Sequence, residues 1–247
     1  EVPETQALLA SLKVKLLTWQ DLIKDLSTRG LEAFHFEPLI GLLCQAPKSA
    51  QFAFLRLPLF SDGTGETTAL APAASPLAGA LIPAPGLPLE LFSDLRFCSE
   101  PEPLRPLLDA SDWKCFERSQ AIAYLYSRQW RPTEQEAEEL ASWLIQGQSE
   151  LATLEDSERL ARLQMFQSSE GALRSLKELW VYEDDDLASL LPDLPQLKKG
   201  SLSEQLVHHF GLQHLLGQAG LSTLIDRFNS QDPQEILELV SSRAHSL

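Results

Sequence analysis

Several groups of residues carry side chains of types that do chemistry, and their spacing decides what each could do. The first is Ser61-Asp62-Gly63-Thr64-Gly65-Glu66-Thr67-Thr68, which has the glycines and hydroxyls of a phosphate-binding loop. Such a loop needs a lysine just before its Ser/Thr and a helix directly behind it. Here Glu66 stands where a positive charge is wanted, and the Ala/Pro-rich continuation is a poor helix start. The run therefore reads as a polar hairpin turn.

The second group is His208, His209 and His214. None of these pairs has the four-residue spacing that aligns two ligands on one helix face, and no cysteine lies nearby. They read as ordinary helix histidines, and no metal ligand or cofactor-binding residue is assigned. The third group, Glu183, Asp184, Asp185 and Asp186, is the densest acidic run. A calcium loop alternates ligands with spacers and carries a glycine, which this run does not. It reads as a solvated cap, with a docking patch for a basic partner as the alternative.

For nucleophilic catalysis there is neither a G-x-S-x-G elbow nor a cysteine-centred signature. Cys115, beside Trp113 and Phe116, reads as a core thiol. So acidic a chain has paired carboxylates everywhere, and spacing nominates no acid/base pair. No catalytic residue is assigned. Leu206 to Phe228 has the short pieces of a helix-turn-helix, but its second piece offers Arg227 alone for phosphate contacts, so it reads as helical packing. Trp143 is offset from the inward face drawn through Leu140, Ala141 and Leu144. It is either an exposed interface anchor or a side chain packed on a neighbouring helix.

Composition bounds the rest. The chain has 247 residues, 44% of them hydrophobic, enough for a real core. Leucine is far above ordinary usage while valine and isoleucine are scarce, a bias that favours helix. The net charge is −15. A chain this acidic repels phosphate backbones, so direct nucleic-acid binding is disfavoured. The charge serves solubility, a basic protein partner or, as a third reading, mimicry of DNA.

Three widely spaced cysteines, Cys44, Cys98 and Cys115, are too few and odd in number for a disulfide framework. They read as reduced thiols in a cytoplasmic or other reducing compartment, with one disulfide plus a spare thiol left open. No run of apolar residues long enough to span a membrane is free of breakers. No signal peptide opens the sequence, and the missing initiator methionine leaves room for a leader already removed.

The elements that must position all these groups are mostly amphipathic helices. Leu8, Leu12, Leu16, Trp19, Ile23 and Leu26 form one helix face within Glu4 to Ser27, closed by Gly30. A second helix is expected over 37–45. Phe52, Phe54, Leu55, Leu57 and Leu59 partly alternate, as in a strand, and Pro88 to Cys98 alternates again. Between them lies the oddest stretch. Residues 56–106 hold nine of the sixteen prolines, and residues 67–89 carry no charge at all. Proline confines any strand here to an edge. Helices are then expected over 112–131, from a capping box at Thr133 and Glu136 to about Leu154, from Asp156 or Ser157 to Phe166, and from Ser169 through Trp180. A second box, Ser201 with Glu204, opens another, and Asp232-Pro233 opens the last.

The expected fold is mainly α, an irregular helical bundle with a small Pro-rich β-like or loop insert. Its expected domains are 1–106 and 107–247, with a single continuous core as the alternative. The expected function is protein–protein interaction, as an adaptor, chaperone or structural subunit, with no cofactor. The surface would be the apolar insert (Leu77, Leu81, Ile82, Leu87 and Leu89), Trp143 and the acidic run 183–186. An enzyme with a non-signature site and an acidic DNA mimic are the other readings.

Overall fold

The computed structural model describes residues 17–31, 35–64, 66–146, 151, 153–181 and 194–217. The fold is mainly α, and the strands among the described residues are two residues long. Contacts divide the chain into two compact units, Glu1–Glu117 and Arg118–Leu247. The division falls after the boundary expected near residue 106, because Trp113 and Phe116 pack within the first unit rather than opening a bundle.

In the first unit, α1 (Trp19–Arg29), α2 (Phe36–Cys44), α3 (Lys48–Leu55) and α4 (Arg105–Ser111) supply the helices. Thr18 caps α1 in a reciprocal box with Asp21, and Gly30 closes it in a positive-φ conformation. Helix α2 matches the expected 37–45. Helix α3 is a correction, since its residues read as an alternating strand. Pro47 starts it by offering its carbonyl to the Ala50 and Gln51 amides at 2.8 and 3.2 Å. Ala50, Gln51, Phe54 and Leu55 then share the buried side, which is helical spacing. Gln51 is buried and donates to the Leu43 and Cys44 carbonyls at 3.1 and 3.2 Å, satisfying the open end of α2.

The expected helix over 112–131 is also broken. Asp112 takes a left-handed conformation and ends α4. Phe116 then pairs with the insert: its amide donates to the Ile82 carbonyl at 2.7 Å, and its carbonyl accepts from Ala84 at 3.2 Å. Helix α5 (Arg118–Ser127) begins only after this bridge.

The uncharged insert is woven into the unit by main-chain pairing. β1 (Phe60–Ser61) pairs antiparallel with β2 (Thr67–Thr68), and β3 (Ala80–Leu81) pairs parallel with β4 (Arg96–Phe97). Leu70 bridges Ala80, and Pro83 bridges Phe116. Proline has no amide to donate, so at position 83 it fits a bridge whose bonds run through its neighbours, Ile82 and Ala84. Of the expected strand over 88–98 only β4 forms, and Leu89–Phe92 is a 3-10 turn. Leu70, Ala80 and Ile82 share one core cluster with Leu26, Leu43 and Leu107 of the helices. The missing charges follow from this burial, since an unpaired charge there would be costly.

The second unit contains α5, α6 (Glu134–Ile145), α7 (Leu154–Arg162) and α8 (Leu202–His209). Thr133 and Glu136 form the expected capping box, with bonds of 3.3 and 2.7 Å. Ser201 caps α8 as expected, accepting from the Glu204 amide at 3.2 Å, but Glu204 reaches back to the Gly200 amide instead of closing the box. Helix α7 starts earlier than expected, capped by Thr153. The buried Asp156 carboxylate accepts from the Thr153 and Ser119 hydroxyls, each at 3.0 Å. The helix expected from Ser169 is instead a hairpin, β5 (Phe166–Gln167) with β6 (Leu173–Arg174), followed by a 3-10 turn at Leu176–Glu178. Gly171, at φ 86°, makes its turn. The sequence-expected elements before Leu17 and after Gly217 lie outside the described residues.

Candidate functional site

The insert presents a surface much smaller than its apolar sequence. Leu81 and Ile82 are each 1% exposed and Leu87 is 7% exposed, whereas Leu77 is 80% and Leu89 43% exposed. The first three therefore leave the expected docking set: parallel pairing draws Leu81 and its neighbour Ile82 into the unit's own core, and Leu87 is buried on a turn whose amide donates to the Ala84 carbonyl at 3.2 Å. Trp143 leaves it as well. It is buried on α6 with the Arg118 guanidinium over its ring at 5.7 Å, so the packed reading of that tryptophan holds. Glu183, Asp184, Asp185 and Asp186 lie outside the described residues.

What holds Leu77 outward is a closed loop. The Ala71 amide donates to the Ala80 carbonyl at 2.7 Å, and the Ala80 amide to the Ala69 carbonyl at 2.9 Å, pinning the two ends together. Within the loop, Ser75 donates to Pro72 at 2.8 Å and Ala78 to Ser75 at 3.0 Å. Pro72 and Pro76 fix two further φ angles. Gly79 sits where the ends meet, and an added Cβ would lie 2.2 Å from the Ala69 oxygen. Leu77 thus stands on a loop of low conformational freedom.

Among the described residues, each unit has a cavity large enough for a small molecule. One in the first unit, of about 330 Å³, is lined by Phe36, Ser61, Cys98, Ser99 and Glu100 among others. Its thiol is not activated: burial pushes Cys98 up, away from the reactive thiolate. Cys115 is likewise raised by burial despite the Arg105 guanidinium, whose Nη1 donates to Sγ at 3.5 Å. All three cysteines are free thiols. The other cavity, in the second unit, of about 410 Å³, lies between the end of α5 and the end of α7 and is walled by Tyr126, Trp130, Arg131, Arg162 and Leu163. The sequence reading did not assemble it, since its two sides are more than thirty residues apart.

The remaining sequence candidates resolve into local structure. Phe60 and Ser61 pair with Thr68 and Thr67 as the expected hairpin requires. The Asp62 carboxylate accepts from the Thr64 amide at 3.0 Å and its hydroxyl at 2.6 Å, and these bonds hold its pKa below the ordinary range. The histidines do not converge. His208 Nδ1 lies 2.9 Å from Gln213 Nε2, His214 Nδ1 donates to the Gly211 carbonyl at 3.1 Å, and His209 meets Phe210 edge-on. Among the described residues no group of three His, Cys, Asp or Glu side chains is placed to hold a metal ion. No helix among them is long and apolar enough to cross a membrane.

Fold and surface together define a mainly-α protein whose Pro-rich insert is structural. No family model matches the chain, and neither curated proteins nor solved structures give a significant match.

Proposed function

We propose that this protein is a protein–protein interaction module, an adaptor, chaperone or structural subunit, that docks a basic partner onto the first unit with Leu77 as an anchor. The observation that carries the reading is the 80% exposure of Leu77 on a loop closed by its own main-chain bonds. A large apolar side chain already fixed in place loses little further freedom on binding, which is what an interface anchor requires. The half-exposed Leu89, followed by the exposed Glu90, adds a second apolar point beside a charge. The net charge of −15 supports a basic partner through long-range steering.

Deleting residues 67–88 would be a poor test, because it removes Leu70, Ala80, Leu81 and Ile82 from the core. Leu77→Asp is the better one. Surface substitutions of this kind move stability by about 0.5 kcal/mol or less, so the unfolding midpoint should hold. Capture of the partner from the native cell, measured by quantitative mass spectrometry against the unmodified protein, should fall by about ten-fold or more. Undiminished capture by the folded variant would remove Leu77 from the interface.

A further inference from the structure

We propose that the cavity between Trp130 and Arg162 in the second unit is a binding site for a small organic anion, a carboxylate or phosphate carried on a flat ring. The charge of its wall is the first reason. Acids outnumber bases 35 to 20 in the chain, yet the described wall of this cavity holds two arginines and no carboxylate. Arg131 makes no hydrogen bond or ion pair with any other described residue. Arg162 is only lightly engaged: Nη1 donates to the Tyr126 hydroxyl at 3.4 Å, and Nε lies 3.8 Å from Glu158. The Glu158 carboxylate is shared with Lys177, which holds it more closely at 2.5 Å, so one negative charge faces two positive ones there. Two guanidinium forks with unused donors suit the paired oxygens of a carboxylate or phosphate.

The second reason is the apolar part of the wall. Trp130, Tyr126 and Leu163 give a planar body something to pack on, and about 410 Å³ falls in the range of small-molecule sites. The wall is also held in place. Gln129 takes a left-handed φ of 51°, and the Trp130 amide closes α5 onto the Leu125 carbonyl at 3.1 Å. Pro132 and the Thr133 cap follow at once, so Trp130 and Arg131 sit between two fixed helix ends.

The test is titration calorimetry on the full chain with three probes: indole-3-acetate, phenyl phosphate and the uncharged tryptophol. At least one anion should bind saturably below the millimolar range, and tryptophol about ten-fold more weakly or not at all. The ratio of the two anions tells carboxylate from phosphate. Arg131→Ala and Arg162→Ala should each weaken the bound anion by about ten-fold with the circular dichroism unchanged. Arg131→Lys, which keeps the charge and the fold but loses the fork, should fall between. No saturable binding by either anion, equal binding of tryptophol, or anion binding untouched in Arg131→Lys and the folded alanine variants would each overturn the proposal.

Discussion

Replacing Gly79 with alanine should destabilise the first unit by about 3 kcal/mol or more. The added Cβ would lie 2.2 Å from the Ala69 oxygen, a main-chain atom that accepts the Ala80 amide. No side chain can swing aside to make room. The two strand segments must separate, adding the loss of the Ala71–Ala80 and Ala80–Ala69 bonds to a steric cost of about 1–3 kcal/mol. Gly41 provides the contrast. It lies within α2 with nothing within 4 Å of an added Cβ, so Gly41→Ala should be neutral or stabilise by up to about 1 kcal/mol. Urea unfolding of the two variants should therefore shift in opposite directions, or in one direction for Gly79 alone. A Gly79→Ala protein as stable as the parent would mean that the insert does not close as described.

Phe116→Ala is expected to cost about 3–5 kcal/mol. The ring is 1% exposed and packs edge-on against Phe92 and Phe97, with centroids 5.4 and 5.8 Å away. Against a typical domain stability of about 5–15 kcal/mol, that loss removes much of the margin. The same residue carries the main-chain bridge to Pro83, so cavity and bridge loosen together. The midpoint of urea unfolding should drop steeply while Phe116→Leu loses far less. A drop below about 1 kcal/mol would contradict the burial of this ring.

What could be read from the sequence divides along physical lines. Local signals were legible. Helix caps at Thr133 and Ser201 use side-chain to main-chain bonds three residues apart, and both form. Leucine excess told of a mainly-α fold. Signals that depend on distant pairing were not. The helix expected over 112–131 breaks because Phe116 pairs with Ile82 and Ala84, more than thirty residues away. The helix expected from Ser169 gives way to a hairpin, and Trp180 bridges Gln196 beyond it. In α3, the apolar run of four residues, Phe52 to Leu55, fits either period, and the deciding Pro47 lies outside the run.

The candidate surface shows the same limit. Leu77, Leu81, Ile82, Leu87 and Leu89 are alike in type, and only the folded arrangement, strand pairing at Leu81 and turn packing at Leu87, separates the outward Leu77 and Leu89 from the rest. The anion cavity had one local clue. Trp130 and Arg131 stand directly before a proline and a helix cap, a place where the chain direction is fixed. Its other wall, Arg162 and Leu163, required the fold.

The account rests on the insert being part of the first unit's core rather than a loose segment awaiting a partner. Native-state hydrogen exchange tests this most directly. The amides of Ala71, Ala80, Cys98 and Phe116 donate to carbonyls of the paired segments at 2.7 to 2.9 Å. They should exchange within about ten-fold of the amides of Leu26 and Leu43 in the helices they pack beside, as members of one cooperative unit do. Exchange of those four amides at the rate of an unstructured chain, with the helices still protected, would contradict it.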